Sequence, residues 1–196
     1  MQIWFRRCST LAVLTLAAAA VGAAPASAQS VTYGLLAGAD FTDMSSADFS
    51  ATTSTGFAGG LYAGIPFGKS LVFEPELLYA NKGANIEGTG TTLNLNYLEI
   101  PLLLRYNFTP DGGPFAYIGP YVAFNMDCNT TGKLDTVTCS DANVSANTTF
   151  GGAVAIGFQK SAWGFDIRYE YDFGDAVDAG PGKNSALMAL LRLAVK

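Results

Sequence analysis

The sequence predicts an all-β fold: an eight-stranded antiparallel up-and-down transmembrane β-barrel that follows a cleaved signal peptide. Three observations predict it. In Trp163–Phe173 (WGFDIRYEYDF), Phe165, Ile167, Tyr169, Tyr171 and Phe173 alternate with Asp166, Arg168, Glu170 and Asp172. A repeat of two is that of a β-strand, whose side chains point to opposite faces in turn. Second, seven further stretches of about ten residues read as strands, and the connections between them alternate long and short. In an up-and-down barrel that order puts every long loop at one end, with both termini among the short turns. Third, no run beyond the N-terminal segment is long and apolar enough for a membrane helix. Alternation alone does not say which face is inside. A soluble sandwich with its charges toward water is the other reading of the same strands.

The 196-residue chain is 49% hydrophobic and 14% charged, which excludes a disordered chain and is enough for one sizeable domain. Its start combines Arg6-Arg7, an apolar run from Leu11 to Ala24, and Ala26-Ser27-Ala28. Basic, apolar and A-x-A regions in that order describe a secretory signal peptide, residues 1–28, cleaved after Ala28. An uncleaved anchor helix is the alternative. The paired arginines leave the export route, general secretory or twin-arginine, undecided. Cys8 leaves with the signal. Residues 29–196 form the barrel domain, with two fewer basic residues and a net charge of −7. An acidic chain is a poor nucleic-acid partner, since phosphates need cationic contacts. Two cysteines remain, Cys128 and Cys139, and an exported chain with an even count predicts a disulfide between them.

The first strand is Val31–Phe41, with Tyr33, Leu35, Ala37 and Ala39 on one face and Gly34, Leu36, Gly38 and Asp40 on the other. Asp43–Thr55 reads as a loop by its Ser, Thr and Asp content. The second strand is about Gly56–Ile65, closed by a tight turn at Pro66–Lys69. The third, Leu71–Ala80, sets Glu74 and Glu76 against Leu71, Phe73, Leu77 and Tyr79. Asn81–Thr91 reads as a loop. The fourth, Thr92–Asn107, sets Glu99, Leu103 and Arg105 against Leu98, Ile100, Leu102, Leu104 and Tyr106. Pro110-Asp111-Gly112-Gly113 is a strong turn. The fifth strand is about Phe115–Phe124, and Asn125–Asn147 is a long polar loop holding both cysteines. The sixth, Thr148–Phe158, opposes Phe150, Val154, Ile156 and Phe158 to Gly151, Ala153, Ala155 and Gly157. Trp163–Phe173 is the seventh. After a loop at Gly174–Asn184, Ser185–Val195 opposes Leu187, Ala189, Leu191, Leu193 and Val195 to Met188, Leu190 and Arg192.

With the apolar faces turned to lipid, the interior of so small a barrel is filled by side chains. Glu74, Glu76, Glu99, Arg105, Asp166, Arg168, Glu170 and Arg192 then form a luminal ionic network, since buried charges must pair or stay hydrated. Counting Asp40 and Asp172, acids outnumber the three arginines, so some carboxylates are expected to be hydrated, Asp40 and Asp172 near the outer mouth, or else protonated. Pro75, Pro101 and Pro120 fall inside strands, where each removes a ladder hydrogen bond. Bulges or luminal water are expected beside them.

Asn96–Tyr106 (NYLEIPLLLRY) resembles the PorT-like outer-membrane β-barrel family, the small porin-family barrel domain. Glu74–Gly83 (EPELLYANKG) resembles that family's third strand, and Gly34–Gly38 and Gly119-Pro120-Tyr121 are similar in position. The resemblance spans residues 31–196. It implies an eight-stranded barrel in the outer membrane of a Gram-negative-type bacterium and carries no catalytic motif. Such barrels commonly end in an aromatic residue, whereas this chain ends Leu193-Ala194-Val195-Lys196.

No histidine is present, which removes His-based triads, most zinc sites and the usual base near neutral pH. No phosphate- or dinucleotide-binding loop precedes a helix, so no cofactor is expected. Paired carboxylates at Glu74/Glu76 and Asp166/Glu170 lack the open cleft a glycosidase needs. The chain is therefore not expected to be an enzyme or to hold a metal. Three function classes stay open. The first is a structural or interaction barrel presenting its loops. The second is a narrow pore for small solutes. The third is a soluble, exported, lipocalin-like barrel with an apolar ligand inside, which requires inward-facing aromatics. For the first, the partners are outer-membrane lipid and lipopolysaccharide, and the chain is monomeric. The loops carry Asp43, Asp48, Glu87, Asp127, Asp135, Asp141, Asp175 and Asp178 against Lys82, Lys133 and Lys183. They read as a solvated acidic rim, with weak divalent-cation bridging to lipopolysaccharide as the sharper alternative.

Overall fold

The structure, a computed structural model, describes residues 30–46, 51–86, 91–110, 112–131, 136–139, 146–177 and 182–195. The expected signal peptide lies outside the described residues, as do Asp48, Glu87, Lys133, Asp135, Asp141 and Asp178 of the rim. The described strands are β1 (Thr32–Ser46), β2 (Ala51–Phe67), β3 (Leu71–Ile86), β4 (Thr91–Asn107), β5 (Gly113–Thr131), β6 (Thr136–Thr138), β7 (Thr149–Lys160), β8 (Trp163–Asp172) and β9 (Gly182–Ala194). All but β6 form one closed antiparallel barrel, because β1 pairs with β9 and β4 with β5. Closure leaves the wall formed by these eight described strands without an open edge, the condition for a sheet to sit in lipid. The connections from β2 to β3, from β4 to β5 and from β7 to β8 lie at one end, together with both termini of the barrel.

The strands run further than hydrophobic alternation marks them. β3 continues through Asn81–Ile86 and β5 through Asn125–Thr131, both read from sequence as loop. These extensions are rich in Asn, Thr and Gly and pair by backbone, which requires no apolar face. β6 pairs with the end of β5 inside the region read as one long polar loop.

No bulge accompanies the prolines. Pairing of β3 with β4 follows one register from Leu71↔Tyr106 to Ile86↔Thr91, skipping only the pairs beside Pro101. Register also persists across Pro75 between β2 and β3, and across Pro101 and Pro120 between β4 and β5. The wall therefore drops ladder bonds there without bulging. The register shifts lie elsewhere, between Thr53 and Ala58 and between Asn96 and Tyr97.

Exposure fixes the sense of the alternation. Ile167 is 49% exposed and Arg168 0%, so the apolar face is outside and the soluble sandwich is excluded. The outer surface is ordered along its height. Phe41, Phe57, Tyr79, Phe124, Phe150 and Tyr171 ring the long-loop side; Tyr33, Phe67, Tyr106, Phe158 and Trp163 ring the short-turn side. Aliphatic residues such as Leu61, Leu77, Leu102, Ile118, Ile167 and Leu191 lie between. Two aromatic girdles around an aliphatic belt match the two interfaces of a bilayer and its hydrocarbon.

Candidate functional site

The interior is the site, and it is built from paired glycines and aromatics. Gly34 faces Tyr62, Gly157 faces Phe115, and Gly151 faces Tyr121 across neighbouring strands. A Cβ on any of the three would come within 2.6 Å of the opposing ring. Each glycine thus lets a large ring lie across the neighbouring strand and into the lumen. The rings in turn seat cations. Arg105 lies 3.8 Å from the Phe115 ring centre, Arg192 4.4 Å from Tyr62, Arg168 5.0 Å from Tyr117 and Lys82 5.2 Å from Tyr121. A cation over an aromatic face is attracted by the ring's quadrupole, more strongly when water is excluded.

All eight residues of the expected ionic network face the lumen and are buried. Nearer the short turns, Arg192 spans Glu74 at 2.6 Å and Asp166 at 3.0 Å. Arg105 meets Glu74 at 3.2 Å, and Arg168 meets Glu76 at 2.8 Å. Tyr117 ties the layer together, donating to Asp166 at 2.7 Å and accepting from Arg168 Nε at 2.6 Å. Three arginines face three carboxylates here, so this layer is neutral.

Sequence reading missed the residue that organises the other layer. Lys82, assigned to a loop and its acidic rim, is 2% exposed in β3. Its Nζ lies 2.6 Å from Glu99 and 3.0 Å from Glu170. Arg168, 3.6 Å from Glu170, connects the two layers. The signal available was parity: Lys82 continues the even face of Glu74 and Glu76. Asp40 and Asp172 are not at a wet outer mouth either; they are 0% and 1% exposed. Asp40 accepts from Thr42 at 3.0 Å, and Asp172 accepts from the Tyr121 hydroxyl. Of the expected rim, Asp43, Asp127 and Asp175 are exposed.

An apolar lid covers this layer. Leu93, Leu95 and Tyr97 of β4 pack with Ala123, Cys139, Ala176 and Val177. Cys128 and Cys139 are disulfide-bonded, with Cα atoms 5.4 Å apart. A bridge between Ala146 and Val177 draws two connections together over the mouth. At the short-turn end a recess of about 180 Å³ leads in to Glu74 and Arg105 and stops there. The inward aromatics among the described residues, Tyr62, Tyr97, Phe115, Tyr117 and Tyr121, are packed among charges and glycines. The outward ones face away from any internal cavity, so the lipocalin-like arrangement does not hold.

Comparisons with known proteins agree with this architecture. The family model described as outer membrane protein beta-barrel domain matches residues 27–178. No curated protein matches the chain. Among solved structures, the chain is similar to Neisserial surface protein A (NspA), with 15% identity and a TM-score of 0.58 over 84% of this chain and 99% of that one. It is also similar to Ail, the attachment invasion locus protein of Yersinia pestis, with 10% identity and a TM-score of 0.55 over 85% and 99%. At such identities the likeness is one of fold.

Proposed function

Because the chain belongs to the outer membrane protein beta-barrel domain family, and so to an outer membrane of the Gram-negative type, we propose that it is a structural barrel that anchors and presents its loops, not a conduit. The observation that carries this reading is the filled lumen. Between the recess and the lid, Arg168, Arg192, Glu74, Glu76 and Asp166 are each no more than 3% exposed. An eight-stranded interior is just wide enough for side chains, whereas open porins use about 16–18 strands. The lipid belt is the barrel's partner in the membrane, and the loop rim meets lipopolysaccharide. The chain acts as a monomer, without catalysis and without nucleic acid. Within the family, the strands carrying NYLEIPLLLRY and EPELLYANKG support a PorT-like assignment.

Planar-bilayer recording tests the proposal. The wild-type protein is expected to be silent. Frequent, stable nanosiemens openings would instead favour a narrow pore, the second reading, which has the recess ending on Arg105 in its support.

A further inference from the structure

The outer wall does not end evenly at the aromatic ring of the long-loop side. β7 and β8 stop there, at Thr149 beside Phe150 and at Asp172 beside Tyr171. β3, β4 and β5 go on, from Tyr79 to Ile86, from Leu98 back to Thr91 and from Phe124 to Thr131. At a rise of about 3.3 Å per residue and a tilt of about 40°, this side of the wall stands about 18 Å above the ring. Long loops mark the outer side of such barrels. The extension therefore stands among the headgroups of the outer leaflet.

Its outward face is an array of amides and hydroxyls in register. Asn81 lies beside Asn96, Asn85 beside Thr92, and Asn94 beside Asn129. Asn81 Nδ2 donates to Asn96 Oδ1 at 2.6 Å, and Thr92 Oγ1 donates to Asn85 Oδ1 at 2.9 Å. Such bonds orient the amides without using them up, since each amide offers two donor hydrogens and two acceptor lone pairs. Asn81, Asn94, Asn96 and Asn129 are half-buried, with part of each turned outward. Among the described residues Asp127 is the one charge on this face, and no lysine or arginine lies on it. Lys82 of β3 is buried in the lumen, and Lys183 stands on β9, over the Tyr171 ring.

An exposed apolar side chain lies within the array. The register shift beside Asn96 leaves Met126 as the extra residue of β5. A bulge re-aims a side chain, and Met126 is 63% exposed, just beyond Phe124. Within the belt such exposure is answered by hydrocarbon. Beyond the ring it suits a partner with both polar and apolar surface.

We infer that this face docks the sugar portion of a neighbouring lipopolysaccharide molecule and reads its hydroxyls, not its phosphates. The inference rests on the reading above that the barrel meets lipopolysaccharide. Sugar hydroxyls donate and accept, as amides and threonine hydroxyls do, and the C–H face of a sugar ring fits Met126. Phosphate recognition uses arginine and lysine, which this face lacks. Continuity selects the occupant: the same wall meets acyl chains below the ring, and the headgroups of those chains lie laterally against it above.

The test uses the full barrel in detergent with chelator present, so that bridging cations do not contribute. Thermal unfolding is followed as complete lipopolysaccharide with its core sugars, lipid A without the core, or phosphatidylglycerol is added. Lipid A keeps the acyl chains and their phosphates, so the difference between the first two reads the core sugars. Wild type is expected to respond to complete lipopolysaccharide at concentrations at least about tenfold lower than to lipid A, the equivalent of roughly two net hydrogen bonds. Asn94→Ala with Asn129→Ala should lose that preference. Met126→Ser, which breaks no ladder bond, should weaken it, and Asp43→Asn on β1 should keep it. A ladder that only stiffens the strands would lower the Tm of the alanine variant equally with all three lipids and leave the preference intact, which would overturn the inference. Loss of the preference in Asp43→Asn would overturn it too. So would an equal response of wild type to complete lipopolysaccharide and lipid A, with the barrel's contact with lipopolysaccharide left standing. An equal response to phosphatidylglycerol as well would overturn both.

Discussion

At the scale of single residues, the lumen depends on contacts of two kinds, close packing over glycine and compensated charge. Gly157→Ala tests the first. Its Cβ would lie 2.4 Å from the Phe115 ring and 2.5 Å from the Phe165 carbonyl oxygen, a backbone atom that cannot swing aside. Alanine ordinarily stabilises a strand relative to glycine, but overpacking should reverse the sign and cost about 1–3 kcal/mol. Gly59→Ala, whose nearest contact is 3.4 Å, should be near neutral. Thermal unfolding of the two variants in detergent makes the comparison, and equal stability would refute the glycine–ring account. Lys82→Met tests the second kind. It strands Glu99 and Glu170, both 0% exposed, and removing one partner of a buried pair costs about 3–5 kcal/mol. The exposed Lys69→Met should change little. Denaturant unfolding distinguishes them; a Lys82→Met barrel as stable as wild type would mean that the two carboxylates are neutral without it. That Lys82 was invisible in the sequence has a physical reason. Asn81 and Gly83 flank it, so the apolar half of the alternation has already ended, at Tyr79. The network residues on β8 were legible because there both halves of the repeat are complete.

At the scale of elements, the strands separate into a lipid-facing part with a sequence signature and an extension without one. Period-two hydrophobicity marks the first, because lipid demands it. The extensions are held by backbone pairing and, on β5, by the Cys128–Cys139 link. Their polar residues read as loop for the same reason that they need no apolar face. The two parts should respond to different insults. Ile167→Arg puts a charge on the aliphatic belt and should cost about 2–4 kcal/mol in lipid, lowering the yield of heat-modifiable folded barrel on a cold gel. Cys128→Ser with Cys139→Ser should leave that yield intact. Closing a loop of 11 residues' separation is worth about 3 kcal/mol in the chain-entropy model, and its loss should appear as faster proteolysis between residues 128 and 139. A barrel that melts early without the disulfide would place the link in the wall's stability instead of the hairpin's.

At the scale of the whole molecule, the barrel is a wall with an asymmetric filling. A neutral, cross-linked layer lies toward the short turns, and an acidic chamber under an apolar lid lies toward the long loops. This asymmetry predicts what a breach would select. Arg168 joins the layers, reaching Glu76 at 2.8 Å and Glu170 at 3.6 Å. Arg168→Ala removes its volume and its charge together, opening space between the recess and the chamber. The lumen then holds seven carboxylates against Lys82, Arg105 and Arg192. Like charge along a narrow, low-dielectric passage concentrates counter-ions and repels co-ions. Any conductance that appears in Arg168→Ala should therefore be cation-selective, seen as a reversal potential shifted toward the cation equilibrium value in a salt gradient. It should rise further under reductant, because the Cys128–Cys139 link holds one side of the lid. An anion-selective current would show that ions pass the three arginines without meeting the chamber. A silent Arg168→Ala variant that folds normally would show that the lid and the stacked rings, not the ion pairs, close the barrel.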